Sequence, residues 1–315
     1  MHKIELHIHL DGSVRVKTAS EILNIDYDTC YKAMTGKNLK SLDEYLTRFD
    51  YPIRVMQTYD NIKRVSYELA QDLIKDDVIY AEVRFAPIFH TSILSLEDVC
   101  KAVLDGFSML KDKIRINLIL CMMRHLSFSD NKKIIDLYNK HIDERIVALD
   151  LAGSEQLFPN ELFNDLFELI KTNKIPFTIH SGEVDLVNNI KIALDNNFKR
   201  IGHGINIIKD NKLIDLAKQK DVLFEICPTS NLDTFNVKSY ETHPIKKLYD
   251  MGLNISINTD NRTVSNITLN EEYGLLKKYF NFTDEDFRNI NINAMRHSFA
   301  SKSIKEETIK LLKTI

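Results

Sequence analysis

Two histidines two residues apart open the chain, in Lys3-Ile4-Glu5-Leu6-His7-Ile8-His9-Leu10-Asp11-Gly12. The run reads as a short strand. Successive strand side chains point to opposite faces, so His7 and His9 share one and their imidazoles aim at a common point near its C-terminal end. Taken alone, the pair is equally compatible with a half-buried strand whose histidines are satisfied by neighbours. Residues far along the chain tip the balance. His180-Ser181-Gly182-Glu183, Gly202-His203-Gly204 and Asn258-Thr259-Asp260-Asn261 each close another apolar run. Three imidazoles and one carboxylate, from His7, His9, His180 and Asp260, suit a borderline cation such as Zn²⁺ with a further position left for water. Ligand type does not choose among zinc, cobalt and iron. A bound metal makes hydroxide available near neutral pH, so the expected chemistry is hydrolytic. Glu183 lies three residues past His180 across a Gly-containing turn, a place suited to a general acid if a buried pocket raises its pKa. His203 and Asp260 are placed to orient or deprotonate the water. The histidines at 2, 90, 125, 141, 243 and 297 show no partner spacing, and surface or satisfied-core roles are expected for them.

Positioning such a site calls for strands that end together. Fully buried parallel strands read as short, nearly continuous apolar runs, and eight occur, at about 3–10, 78–85, 116–123, 146–152, 176–181, 200–203, 223–227 and 254–259. Helical spacing fills most of the intervals, as in 96–111, 160–172, 187–196 and 212–219. Strand–helix alternation eight times over predicts an α/β chain folded as a (β/α)8 TIM barrel, a fold whose chemistry sits at the C-terminal ends of its strands. No linker, repeat or low-complexity tract divides residues 1–315, so one domain is expected. The crossover at about 12–77 is longer than a βαβ unit needs. Within it Leu42, Tyr45, Leu46 and Phe49 make one apolar helical face, read equally as packing on the barrel or as a lid over a flat substrate. Helices expected at 284–300 and 303–314 close the outer ring. The fourth run ends in Asp150-Leu151-Ala152-Gly153 without the lysine that two-metal hydrolases of this fold often carboxylate as a bridge, which favours one metal.

Hydrophobic residues at 44% and charged residues at 28% describe an ordinary packed body, and a net charge of -3 without a Lys/Arg stripe argues against nucleic acid as a partner. Cys30, Cys100, Cys121 and Cys227 form no C-x-x-C pair and read as buried thiols in a reducing compartment. No apolar run approaches membrane-spanning length, and the first residues enter a strand directly, so a soluble cytoplasmic protein without a signal peptide, membrane contact or obligate protein partner is expected.

The ordered motifs HIHLDGS (7–13), DLAGSE (150–155), HSGE (180–183), RIGHG (200–204), CPTSN (227–231) and SINTDN (256–261) resemble the adenosine deaminase family of the metal-dependent hydrolases. The resemblance spans nearly the whole chain. It implies one zinc per chain and conversion of adenosine or 2′-deoxyadenosine to inosine or 2′-deoxyinosine plus ammonia, as in purine salvage, with a purine nucleoside as the small-molecule partner. By the same resemblance, His7, His9, His180 and Asp260 hold the metal, Glu183 protonates purine N1, and His203 holds the attacking water. His9, Asp11 and Gly153 match substrate contacts, Asp11 toward a ribose hydroxyl and the Gly153 backbone toward the purine. Leu42, Tyr45, Leu46 and Phe49 match a hydrophobic lid. One departure is visible: Asn261 stands where the best-known members carry an aspartate facing purine N7. An amide donates there without needing a proton, so activity is expected to be retained. The alternative reading is a sister activity on adenine, AMP or an N6-substituted AMP; Asp11 disfavours the nucleotides because a carboxylate repels a 5′-phosphate.

Overall fold

The computed structural model describes residues 1–36, 45 and 47–314. All eight apolar runs contain a strand: β1 Lys3–His9, β2 Val78–Phe85, β3 Arg115–Met123, β4 Ile146–Ala152, β5 His180–Ser181, β6 Arg200–His203, β7 Leu223–Ile226 and β8 Asn254–Ile257. They form two parallel arcs, β1–β4 and β5–β8. Backbone bonds at two seams join the arcs into a ring. At one, His9 N–H donates to Asp260 O at 2.7 Å and Asp260 N–H to His7 O at 3.0 Å. At the other, Leu149 N–H donates to Pro176 O and Thr178 N–H to Leu149 O, both at 3.0 Å. This is the expected (β/α)8 barrel. β5 is shorter than its apolar run, and Pro176, which has no N–H to give, stands where the ladder thins.

Most of the expected outer helices form close to their predicted bounds: Leu96–Ser108, Val187–Asp195, Asn211–Gln219, Asp284–His297 and Lys302–Lys313. Helix Asn164–Thr172 starts later than 160 because residues 160–163 make a 3-10 turn first. Side-chain caps on backbone N–H groups start several of these helices, from Ser95, Asp210 and Thr283, the last in a reciprocal capping box with Asp286. The last two helices, expected in the outer ring, instead cover the N-terminal end of the barrel, because the apolar strand ends Ile4, Leu6, Tyr80 and Leu223 need a cover there and pack with Ile292, Met295 and Leu312. No helix among the described residues is long and apolar enough to cross a membrane.

The crossover after β1 holds helices Val16–Leu23, Tyr27–Met34, Asp50–Val55 and Tyr59–Lys75. Of its expected apolar face, Leu42 and Leu46 lie outside the described residues. Tyr45 is buried against Val264 with Phe49 packed alongside, so this part of the crossover sits over the loop that follows β8.

In the core, His90 is fully buried and stacks on Phe85 at 5.7 Å. Burial pushes its imidazole down to about 4. The unfolded chain therefore takes up this proton first as pH falls below about 6.5. The folded state loses up to about 3 kcal/mol between there and the folded-state value. His90→Met removes the titration. Its Tm drop between pH 7 and pH 5 is expected to be smaller than that of the unmodified protein, and equal drops in thermal melts would refute the assignment.

Candidate active site

β1 delivers His7 and His9 to the barrel interior, β5 delivers His180, β6 ends on His203, and the turn after β8 carries Asp260. His203 and Asp260 both sit in the left-handed region, at φ 59° and 60°, where non-glycine residues are uncommon; the strand ends are bent to aim these two side chains. Gly202 leaves the space that His7 occupies, since a Cβ there would come within 2.8 Å of His7 Cε1.

The donor atoms of His7, His9, His180 and Asp260 all lie within 4.8 Å of one another. His9 Nε2 is 3.2 Å from His180 Nε2, and Asp260 Oδ1 is 3.3 Å from His7 Nε2 and 3.4 Å from His9 Nε2. The far sides of two rings fix what those nitrogens carry. His7 Nδ1 is 2.8 Å from Glu225 Oε2 and His180 Nδ1 is 3.1 Å from Asp150 Oδ2. Burial alone would raise both carboxyls. For Glu225 the Arg200 and Arg84 guanidiniums hold it well below the usual range, and for Asp150 the neighbouring His180 ring and Arg84 guanidinium do the same. Each is thus an acceptor, each Nδ1 donates, and each Nε2 turns a lone pair inward. His7 Nε2 is buried with no hydrogen-bond partner. Lone pairs and a carboxylate converging this closely fit a cation and would repel one another without one. A second grouping adds Cys227 and His203 to His7 and Asp260. Burial pushes the Cys227 thiol up, so it keeps its proton and is the poorer ligand.

Above this cluster a cavity of about 330 Å³ opens at the C-terminal ends of the strands. His9, Asp11, Tyr45, Phe49, Gly153, His180, Glu183, His203, Asp260 and Asn261 all line it. The described site residues predicted from sequence are therefore brought together, with His7 just beneath. Glu183 is 14% exposed, and its Oε1 accepts from the Thr234 hydroxyl at 3.0 Å. Burial, with the Asp260 and Glu155 charges adding to it, pushes its carboxyl up to about 8. Such a group is protonated at neutral pH and can donate. Asp11, also buried, is pushed up to about 7 by burial. Gly12 packs so tightly on the Asn261 amide that a Cβ would fall 1.8 Å from its oxygen. The Asn261 Nδ2 donates to the Tyr45 hydroxyl at 2.9 Å, which ties the crossover to the turn after β8.

Sequence reasoning missed the groups behind the ligands. Arg84 and Glu225 lie inside apolar strands and Arg200 opens β6, and only a charge within such a run could have flagged them. Glu155 is another: its carboxylate accepts from the backbone N–H of Gly182 at 2.7 Å and Glu183 at 2.9 Å, bracing the HSGE turn. His125, expected outside the site, lines the cavity, stacked on Phe89 at 5.8 Å.

A sequence model described as adenosine deaminase matches residues 2–315. The chain belongs to the adenosine deaminase family. Among its relatives, a Clostridium acetobutylicum protein named adenosine deaminase is 41% identical over 98% of this chain and 96% of its own length. A Clostridium perfringens protein of the same name is 37% identical over 97% and 96%. Among solved structures, Arabidopsis N6-mAMP deaminase aligns with a TM-score of 0.89 at 25% identity, covering 100% of this chain and 98% of that one. An adenine deaminase from Arthrobacter aurescens gives 0.89 at 22% identity over 99% and 98%, a likeness of fold. As a member of the adenosine deaminase family, which is metal-dependent, the chain is an enzyme, a hydrolytic deaminase, and its His7/His9/His180/Asp260 cluster could hold a metal ion.

Proposed function

We propose that this enzyme hydrolyses adenosine, and 2′-deoxyadenosine, to inosine or 2′-deoxyinosine and ammonia. The observation that carries the reading is the buried Glu183, its carboxyl pushed up to about 8 by burial, facing the His7/His9/His180/Asp260 cluster in one cavity. Relatives named adenosine deaminase at 37–41% identity support the substrate. So does the cavity wall: among the described residues it contains no Lys or Arg to hold a 5′-phosphate, while Asp11 can accept from a ribose hydroxyl.

The donor set suits zinc, and a Burkholderia ambifaria amidohydrolase of the same fold was solved with bound Zn. A metal held there would lower the pKa of water and supply the nucleophile. This chain's residues do the rest. Gly153, whose backbone stands at φ 104° on the cavity wall, lets a flat ring approach. Glu183 protonates N1 as oxygen adds to C6, which makes the ring the better electrophile. Asp260 takes the first water proton and passes it to N6, which leaves as ammonia. The second, released as the C6 hydroxyl becomes a carbonyl, restores Glu183. The whole chain is read as one domain, since Ile4 N–H of β1 donates to Asn291 of a C-terminal helix at 2.8 Å. We read it as a cytoplasmic enzyme of purine salvage working without a protein partner; four free, buried cysteines are in keeping with a reducing compartment.

The test is the ultraviolet change on mixing the metal-replete protein with adenosine, adenine, AMP and N6-methyl-AMP in parallel. Turnover of adenosine alone is expected; turnover of adenine or a nucleotide with adenosine inert would overturn the role of Asp11. Asn261→Ala should raise KM for adenosine about tenfold with a smaller effect on kcat, because one donor to the purine is lost. Unchanged KM, or abolished binding, in steady-state kinetics would count against Asn261 as a purine contact.

A further inference from the structure

Behind His203 runs a line of hydrogen bonds that the scheme above does not use. It begins at the backbone N–H of Ile245, which donates to His243 Nδ1 at 3.1 Å. A backbone amide can only donate, so His243 Nδ1 holds a lone pair. Burial pushes this imidazole down to about 3. The neutral ring therefore carries its proton on Nε2. That nitrogen lies 3.2 Å from Asn231 Oδ1 and donates to it. The orientation of the carboxamide follows, and its Nδ2 faces His203 Nδ1 at 3.0 Å. An amide nitrogen is a donor only, so His203 Nδ1 must accept. A proton on His203 Nδ1 would meet an N–H head-on. The ring is thus held neutral with its proton on Nε2, the nitrogen that faces the cavity. Nε2 lies 3.6 Å from Glu183 Oε2, beyond hydrogen-bond length, and its proton is left for what enters the site. His203, Asn231 and His243 are 1%, 0% and 3% exposed, so water does not compete for these bonds.

We propose that Asn231 and His243 are positioning residues that hold His203 as an Nε2–H donor toward the attacking oxygen, so that His203 stabilises that oxygen and does not take its proton. This revises the expectation that His203 could deprotonate the water. The remaining acceptor is Asp260, whose Oδ2 is oriented by the Ser230 hydroxyl at 2.6 Å. In the addition step an oxygen lone pair forms the bond to C6, and the C6–N1 π pair takes the proton of Glu183. The water proton goes to Asp260, and His203 keeps its own. The naming of substrate atoms rests on the adenosine reading, whereas the tautomer does not.

The protein labelled with ¹⁵N-histidine, metal-loaded and metal-free, reports each ring nitrogen through two-bond ¹H–¹⁵N correlations. Protonated Nε2 and bare Nδ1 are expected for both His203 and His243, and a proton on His203 Nδ1 overturns the proposal. In Asn231→Asp the side chain can only accept, so it draws the His203 proton to Nδ1 and bares Nε2. An inverted tautomer is expected, with kcat lowered about 10²–10³-fold, as on losing one oxyanion donor, and KM within about threefold. An inverted tautomer with kcat retained shows His203 acting as a base and overturns the proposal, as does an unchanged tautomer in the variant. If circular dichroism shows that the variant does not fold, the spectrum of the unmodified protein still decides. If adenosine is inert with the unmodified protein, the substrate reading fails while the tautomer is read independently.

Discussion

Glu183→Gln is expected to lower kcat/KM for adenosine about 10³-fold while the fold and the metal content stay unchanged. Glutamine keeps the shape of the side chain and can still meet the Thr234 hydroxyl, but it has no acidic proton to give N1. The pH profile provides the sharper reading. Burial, with the neighbouring charges of Asp260 and Glu155, holds the carboxyl up to about 8. The donor form is present below that value and is lost as pH rises through it. A cation beside Asp260 offsets part of that charge, so the basic limb of kcat/KM falls at or below about 8. The limb should be absent from the residual activity of the variant. A variant within tenfold of the unmodified enzyme, or one that keeps the same basic limb, would remove Glu183 from the acid role.

Loss of Arg84 should have the largest effect on stability. Its guanidinium is fully buried and donates to Asp150 Oδ2 at 2.8 Å, Glu225 Oε2 at 2.7 Å and the Leu6 carbonyl at 2.6 Å. Arg84→Leu leaves two buried carboxylates short of a counter-charge, a loss expected to cost about 3–5 kcal/mol in urea unfolding. Arg200 still reaches Glu225 Oε1 at 2.6 Å, so Asp150 is the more exposed of the two to this loss. Both carboxyls are held below their ordinary range in the folded protein. Their stabilising contribution is present above the ordinary carboxylate range and fades as pH falls through the folded-state values, so the deficit of the variant is greatest at neutral pH. Because Asp150 and Glu225 orient His180 and His7, the variant should also bind metal about 10–100-fold more weakly in chelator competition. Unchanged metal affinity together with a stability loss below about 1 kcal/mol would show that the carboxylates do not depend on Arg84.

Local pattern carried a large share of this molecule. Eight apolar runs between helical stretches led to the barrel because parallel strands buried on both faces have no polar face to show. The histidine and acid positions were legible since each stands at or just past the end of such a run, where a barrel must expose it. β5 was overextended because an apolar run records burial and not pairing: Phe177, Thr178 and Ile179 are buried, yet this stretch meets β4 only through the Phe177–Leu149 bridge.

The remainder depends on distance through space. His243 shows no partner spacing in sequence, yet it closes a line of bonds to His203 that begins forty residues away in the chain. His125 and Glu155 reach the cavity only because β3 pairs with β4 and β4 lies beside β5. Charges inside strands, such as Arg84 and Glu225, are 141 residues apart and meet only when the ring closes. Residue type and strand alternation determined by themselves which chemistry is available and on which face it stands, since both are properties of a few consecutive residues. Which nitrogen of each imidazole carries the proton, which carboxyls stay charged and which acid stays neutral were decided by the tertiary structure alone, because burial and partner charges set protonation and exist only once distant strands are packed together.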